Sequence, residues 1–108
     1  MTELVKIVVT VPFSNADALR DAIGKAGAGK LGNYSYCSYS VSGVGRFLPE
    51  EGANPTIGKV GQLEQVEEER IEVNCERSDL DRVVAAIRAA HPYEEPAIDA
   101  YPLISISA

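Results

Sequence analysis

The chain has 108 residues, 45% of them hydrophobic, with no Trp and two Phe, which is the size of one domain with a core of Val, Ile, Leu and Ala. Residues 1–108 are therefore expected to fold as a single unit. A formal charge of -6 argues against nucleic acid as a partner, because duplex binding rests on Lys and Arg neutralising phosphates.

From Leu4 to Val11, one face reads Val5, Ile7, Val9 and Val11 and the other Leu4, Lys6, Val8 and Thr10. That period of two predicts a strand with one fully apolar face, ended by Pro12. Ser14, with Asp17 three residues on, predicts a capped helix start. Ala16, Leu19, Ala22, Ile23 and Ala26 follow at helical spacing, and Gly27 stops the helix. After a glycine-rich turn, Tyr34 to Val41 alternates as a strand. Gly43 and Gly45 predict a turn or bulge, and Arg46-Phe47-Leu48 a returning strand. Pro49 to Gly61 carries Gly52, Pro55 and Gly58, so it reads as a loop, and its length points to function.

Strand character resumes near residue 62, with Ile71, Val73 and Cys75 alternating against Arg70, Glu72 and Asn74. The acidic run of Glu64, Glu67, Glu68, Glu69, Glu72 and Glu76 reads as a solvated strand face. Ser78 and Asp81 repeat the capping pattern before the stripe Leu80, Val83, Val84, Ile87 and Ala90. His91-Pro92 closes this helix, because a residue before proline is pushed out of the α region. The last strand runs from about Ala97 to Ile104, with Pro102 favouring an edge position. Two helices, each apolar on one side, covering one face of an antiparallel sheet predict an α+β, ferredoxin-like split βαβ sandwich.

The two cysteines make a poor disulfide framework in a chain that can build its own core, and so read as reduced thiols of a cytoplasmic protein. The amino terminus lacks a leader pattern, and apolar runs fall far short of the ~20 residues that span a bilayer, so no membrane is expected. Gly27-x-Gly29-x-x-Gly32 matches a dinucleotide fingerprint as a string. However, it follows a helix and precedes a strand, the reverse of what a pyrophosphate site needs. Gly24-x-x-x-x-Gly29-Lys30 fails as a phosphate loop for the same reason. His91 is the single histidine, and its plain structural reading is a helix C-terminal cation facing the dipole. Adjacent Glu94 and Glu95 point apart on an extended segment, and no catalytic constellation is visible. No CxxC or HxxxH spacing is present for a zinc site within one chain.

His91-Pro92-Tyr93-Glu94-Glu95-Pro96-Ala97, followed by Asp99 and Tyr101-Pro102-Leu103, resembles the end of the PII-like domain inserted in YqfO-type dinuclear-metal proteins of the Nif-three-like family. The resemblance extends through Gly32-Asn33-Tyr34-x-x-Cys37-Ser38-Tyr39, Gly43-x-Gly45-x-Phe47-x-Pro49, Glu51-Gly52-Ala53-Asn54-Pro55, Ile57-Gly58 and Glu67-x-x-Arg70-Ile71-Glu72. The His-Pro-Tyr-Glu segment is also similar to that of the CutA divalent-ion tolerance proteins. The flanking catalytic-like domains of the YqfO-type proteins are not in this sequence, so the resemblance implies a non-enzymatic domain standing free. It implies a homotrimer of PII- or CutA-like build, with a small ligand or metal ion in clefts between subunits. The walls would be the loop at 43–60 and the segment at 91–96. The binding residues implied are Asn33, Tyr34, Cys37, Ser38, Gly43, Gly45, Asn54, His91, Tyr93 and Glu94. A CutA-like metal site would use Cys37 and His91 with Glu94, a soft set suited to copper or zinc. A third expectation is a non-catalytic partner subunit of a separate metal-dependent enzyme.

Overall fold

The computed structural model describes residues 3–104 and 106. The elements are β1 (Leu4–Pro12), α1 (Phe13–Lys25), β2 (Tyr39–Phe47), β3 (Glu64–Glu76), α2 (Leu80–Ala90) and β4 (Ile98–Pro102). They form one antiparallel sheet in the order β2-β3-β1-β4. Two interleaved βαβ units in this order make the ferredoxin-like sandwich, as the alternation predicted. Pro102 lies on an edge strand, where its missing donor costs no ladder bond.

One face of the sheet is covered and the other is open. Val5, Ile7, Val9 and Val11 of β1 and Ile71, Val73 and Cys75 of β3 form the covered face. They bury against Ala16, Leu19 and Ile23 of α1 and Val83 and Ile87 of α2. Truncating a fully buried residue such as Leu19 or Ile87 to Ala is worth about 2–5 kcal/mol, the removed apolar area plus the cavity left behind. Register places Thr10 opposite Arg70, Arg70 opposite Val41, Glu68 opposite Gly43 and Val8 opposite Asp99 on the open face.

Four local expectations are corrected. Ser14 is not an N-cap. Pro12 holds that position, with φ -55 and ψ 146 and no side-chain cap, so α1 starts at Phe13 without a spacer. Ser78 lies in a 3-10 turn, Arg77–Asp79, and Asp79 precedes α2 without a side-chain cap bond. Residues 34–38 are not a strand, because the chain first makes a tight Leu31–Tyr34 bridge and then docks Cys37 N–H on the Gly29 carbonyl at 2.8 Å. Gly43 and Gly45 are not a turn but lie inside β2, paired with Glu68 and Val66, so Arg46-Phe47 ends that strand rather than starting another.

Candidate functional site

The β2–β3 ladder continues past β1. Pro12 ends at Glu68, whereas Glu64–Glu67 pair only with Val44–Phe47. The loop that follows β2 is closed on itself by Gly61 N–H to the Pro49 carbonyl at 2.8 Å. The segment after α2 runs back against this overhang. Between the overhang, the loop and residues 93–97 lies a cleft of about 580 Å³, within the range of small-molecule sites. Val41, Val44, Phe47, Pro49, Pro55 and Ile57 give it apolar walls, and polar groups come from Thr10, Ser42, Arg46, Thr56, Glu68, Arg70, Glu94 and Glu95.

His91 organises the segment from below. The last helical bond runs from its own N–H to the Ile87 carbonyl at 2.8 Å, and Pro92 prevents a further turn. His91 as a whole is 7% exposed. Its Nε2 lies 2.7 Å from the Thr10 carbonyl, and its Nδ1 accepts the Tyr93 N–H at 3.1 Å. A carbonyl only accepts and an amide N–H only donates, so this geometry assigns the neutral Nε2–H tautomer. His91 is thus not the helix-end cation expected from sequence but a buried strut between β1 and the segment it begins.

The strut sets Tyr93. Its ring meets Phe47 edge-on, with centroids 5.9 Å apart, and lies 5.0 Å from the His91 ring. Its hydroxyl donates to Glu68 Oε2 at 2.7 Å. Burial, then the hydrogen bond to Glu68 and that residue's charge, hold the Tyr93 phenol well above its ordinary value. Glu68 is itself 6% exposed, so the acidic run is not one solvated face. Glu69 turns to the helix side and pairs with Arg20 at 2.5 Å, and Glu72 takes Lys6 and Arg70. The loop is pinned over the segment by Asn54 N–H to Glu94 at 3.0 Å and Thr56 hydroxyl to the Pro92 carbonyl at 2.7 Å.

The structure divides the residues picked out from sequence into two groups. Gly43, Gly45, Tyr93 and Glu94 line the cleft, Asn54 bonds Glu94 at its edge, and His91 supports it. Asn33, Tyr34, Cys37 and Ser38 lie elsewhere, on the irregular segment docked at Gly29, which in turn bonds the Asn74 carbonyl. Along β3, Asn74 is four residues from the position opposite Thr10, roughly 13 Å. Cys37 therefore does not meet His91 within one chain, and among the described residues no three His, Cys, Asp or Glu side chains gather as a metal site. His91 has both nitrogens engaged and Cys37 lies on the other segment, so the copper or zinc set of Cys37, His91 and Glu94 does not come together within one chain. Cys37 and Cys75 are both unpaired, and burial pushes the Cys75 thiol up.

Thr10, Glu68 and Arg70 were missed as cleft residues. Their strand parity places them on the open face, but only the overhang and the returning segment give that face a wall. Among the described residues, no helix is long and apolar enough to cross a membrane.

The fold defines an α+β domain of CutA-like type. The CutA protein of Archaeoglobus fulgidus superposes with a TM-score of 0.70 at 19% identity, covering 99% of this chain and 88% of that one. At that identity the likeness is one of fold. No protein-family model matches the chain. In sequence it is 55% identical over 100 residues to a GTP cyclohydrolase 1 type 2 homolog of Halalkalibacterium halodurans, covering 93% of this chain and 27% of that protein. The Bacillus subtilis homolog of the same name is 46% identical over 100 residues, with the same coverage. A Bacillus cereus protein related to NIF3 matches at 48% identity with a TM-score of 0.84, over 96% of this chain and 26% of that one. The chain thus spans 27% of the length of these curated relatives.

Proposed function

We propose that the chain is a non-catalytic, small-ligand-binding regulatory domain whose ligand occupies the cleft between the β2–β3 overhang, the 49–57 loop and residues 93–97. The observation that carries this reading is the Tyr93–Glu68 pair, a polar contact built from two distant parts of the chain at the wall of a mostly apolar cleft. The only histidine has both ring nitrogens engaged, which favours a binding role over imidazole catalysis. Binding would tighten the loop already pinned at Asn54 and Thr56, an ordering switch of the kind signalling modules use.

The assembly we propose is a homotrimer. Tyr39, Val41 and Val44 are exposed on the edge strand β2, and Val41 and Val44 also line the cleft, so a second copy set against this edge would complete it. Native mass spectrometry of gently purified protein, paired with hydrogen exchange during a metabolite screen, tests both parts. A trimer whose 49–57 amides gain protection with one metabolite supports the reading, whereas a monomer with unchanged exchange across the screen defeats it.

A second reading is a domain that works against a longer protein, either carried in it or docked to it. The relatives' greater length favours it, as does the fold, because Leu103 N–H bonds the Leu4 carbonyl at 2.9 Å and sets the outer ends of β1 and β4 side by side. Co-purification of a metal-dependent enzyme, with the cleft empty, would favour this reading over the first.

A further inference from the structure

The cleft holds a largely buried glutamate, Glu68, whose carboxylate pairs with no cation among the described residues. One oxygen of Glu68 accepts the Tyr93 hydroxyl, and Oε1 lies over Gly45, filling the volume that a Cβ there would need. Among the described residues no ion pair reaches Glu68. Of the two arginines at the cleft, Arg70 is paired with Glu72 at 3.1 Å, and Arg46 is exposed and stands opposite Gln65. Burying a carboxylate is costly unless charge or several hydrogen bonds compensate it, and Tyr93 supplies one bond.

Resting on the reading of this cleft as a ligand site, we propose that it takes a small molecule with a protonated nitrogen on an apolar body. The nitrogen would sit on Glu68 Oε1 and the body against Val41, Phe47 and Ile57. Anionic ligands are less favoured, because three carboxylates, Glu68, Glu94 and Glu95, line the space against two guanidiniums, and Arg70 is already paired with Glu72. A hard divalent cation is a poor occupant, because it asks for six or more oxygens and among the described residues no three His, Cys, Asp or Glu side chains gather to hold one. A planar amidinium or a primary ammonium needs only the one carboxylate, and its carbon body uses walls that a metal ion would leave idle.

The test is a nuclear magnetic resonance titration of the full chain with benzamidine and with benzamide, its neutral isostere, on wild type and Glu68→Gln. Gln keeps an acceptor for Tyr93 and removes the charge. Saturating amide shifts at Gly45 and Tyr93 with benzamidine are expected, with binding at least about tenfold weaker for benzamide and for the variant. The wild-type comparison decides alone should the variant fail to fold. Equal binding of the two probes at the cleft overturns the cationic ligand while leaving the cleft as a site. No shift at any cleft residue with either probe removes both ideas.

Discussion

Two places along β3 are each built on a glycine where the chain approaches itself closely, and they use it differently. At Gly29, with φ 83, backbone meets backbone. Its N–H reaches the Asn74 carbonyl and its carbonyl takes Cys37 N–H, both at 2.8 Å, and a Cβ would stand 2.6 Å from the Cys37 carbonyl oxygen. Every group in that contact is satisfied, and the neighbouring Tyr34 points its ring into solvent. At Gly45 the missing Cβ is replaced by the Glu68 carboxylate, whose Oε1 accepts no hydrogen bond among the described residues. The first place is welded shut and the second is left chemically open. On the proposed reading a ligand completes the second and not the first, which is why that proposal rests on the cleft rather than on the cysteine-bearing segment.

Replacing the two glycines tests that contrast most severely. Gly29→Ala forces a left-handed Ala against fixed backbone and should cost about 3 kcal/mol, summing left-handed strain and overpacking. Gly45→Ala meets only the end of a side chain that can turn away, and should cost about 1 kcal/mol or less. Chemical denaturation of both variants measures this, and equal losses would erase the distinction between weld and opening. Next in size is His91→Ala, which strips the partners of the Thr10 carbonyl and the Tyr93 amide at once. A loss of about 2 kcal/mol is expected, with faster hydrogen exchange at Tyr93. A wild-type midpoint would show that the loop contacts, and not the imidazole, hold the segment.

The helix-covered half of the molecule was legible in the sequence because burial there imposes a period. Val5-Ile7-Val9-Val11 and Leu80-Val83-Ile87 announce their elements and the face they bury. The cleft was legible only in part. Tyr93 and Glu94 follow a helix end marked by His91-Pro92, a local signal, and Gly43 and Gly45 stood out as residues needing a reason. A turn or bulge is a local reason as well, whereas the actual one is Glu68, more than twenty positions along the chain and across the ladder. Glu68 is hidden in a run of like residues whose different environments arise only when strand parity meets the returning segment. The caps at Ser14 and Ser78 failed because each helix begins from a proline or a 3-10 turn that a three-residue spacing does not register.

The Tyr93–Glu68 contact makes a smaller prediction with a pH signature. Tyr93 is held above its ordinary value of 10.0 in the fold, chiefly by burial. Above about pH 10 the unfolded chain releases a phenolic proton that the folded chain keeps, so the folded state binds more protons and stability falls as pH rises. Its contribution is present below that range and is lost through it. Cys75, likewise raised by burial from 9.0, acts in the same direction slightly earlier. Tyr93→Phe should be less stable by about 1 kcal/mol at neutral pH, and the gap to wild type should close toward about pH 11. Parallel stability curves for the two proteins would mean that the phenol is not buried as described.

The smallest expected effect lies at the pinned loop, and it sharpens the comparison because the weld has no equivalent. Thr56→Val removes the hydroxyl bond to the Pro92 carbonyl, and Glu94→Gln replaces the carboxylate that accepts Asn54 N–H. Both groups are exposed, so water takes over the lost bonds and each change should cost about 0.5 kcal/mol or less. Global melting should therefore barely move. Local opening is governed by these few contacts instead, and amides of residues 50–57 should exchange several-fold faster in the double variant while Gly29 and Cys37 keep wild-type protection. Such a result would make the loop a separately opening cover on the cleft. Acceleration spread equally over the Gly29–Tyr39 segment would instead make the two places one cooperative unit and remove the basis for treating the loop as a gate.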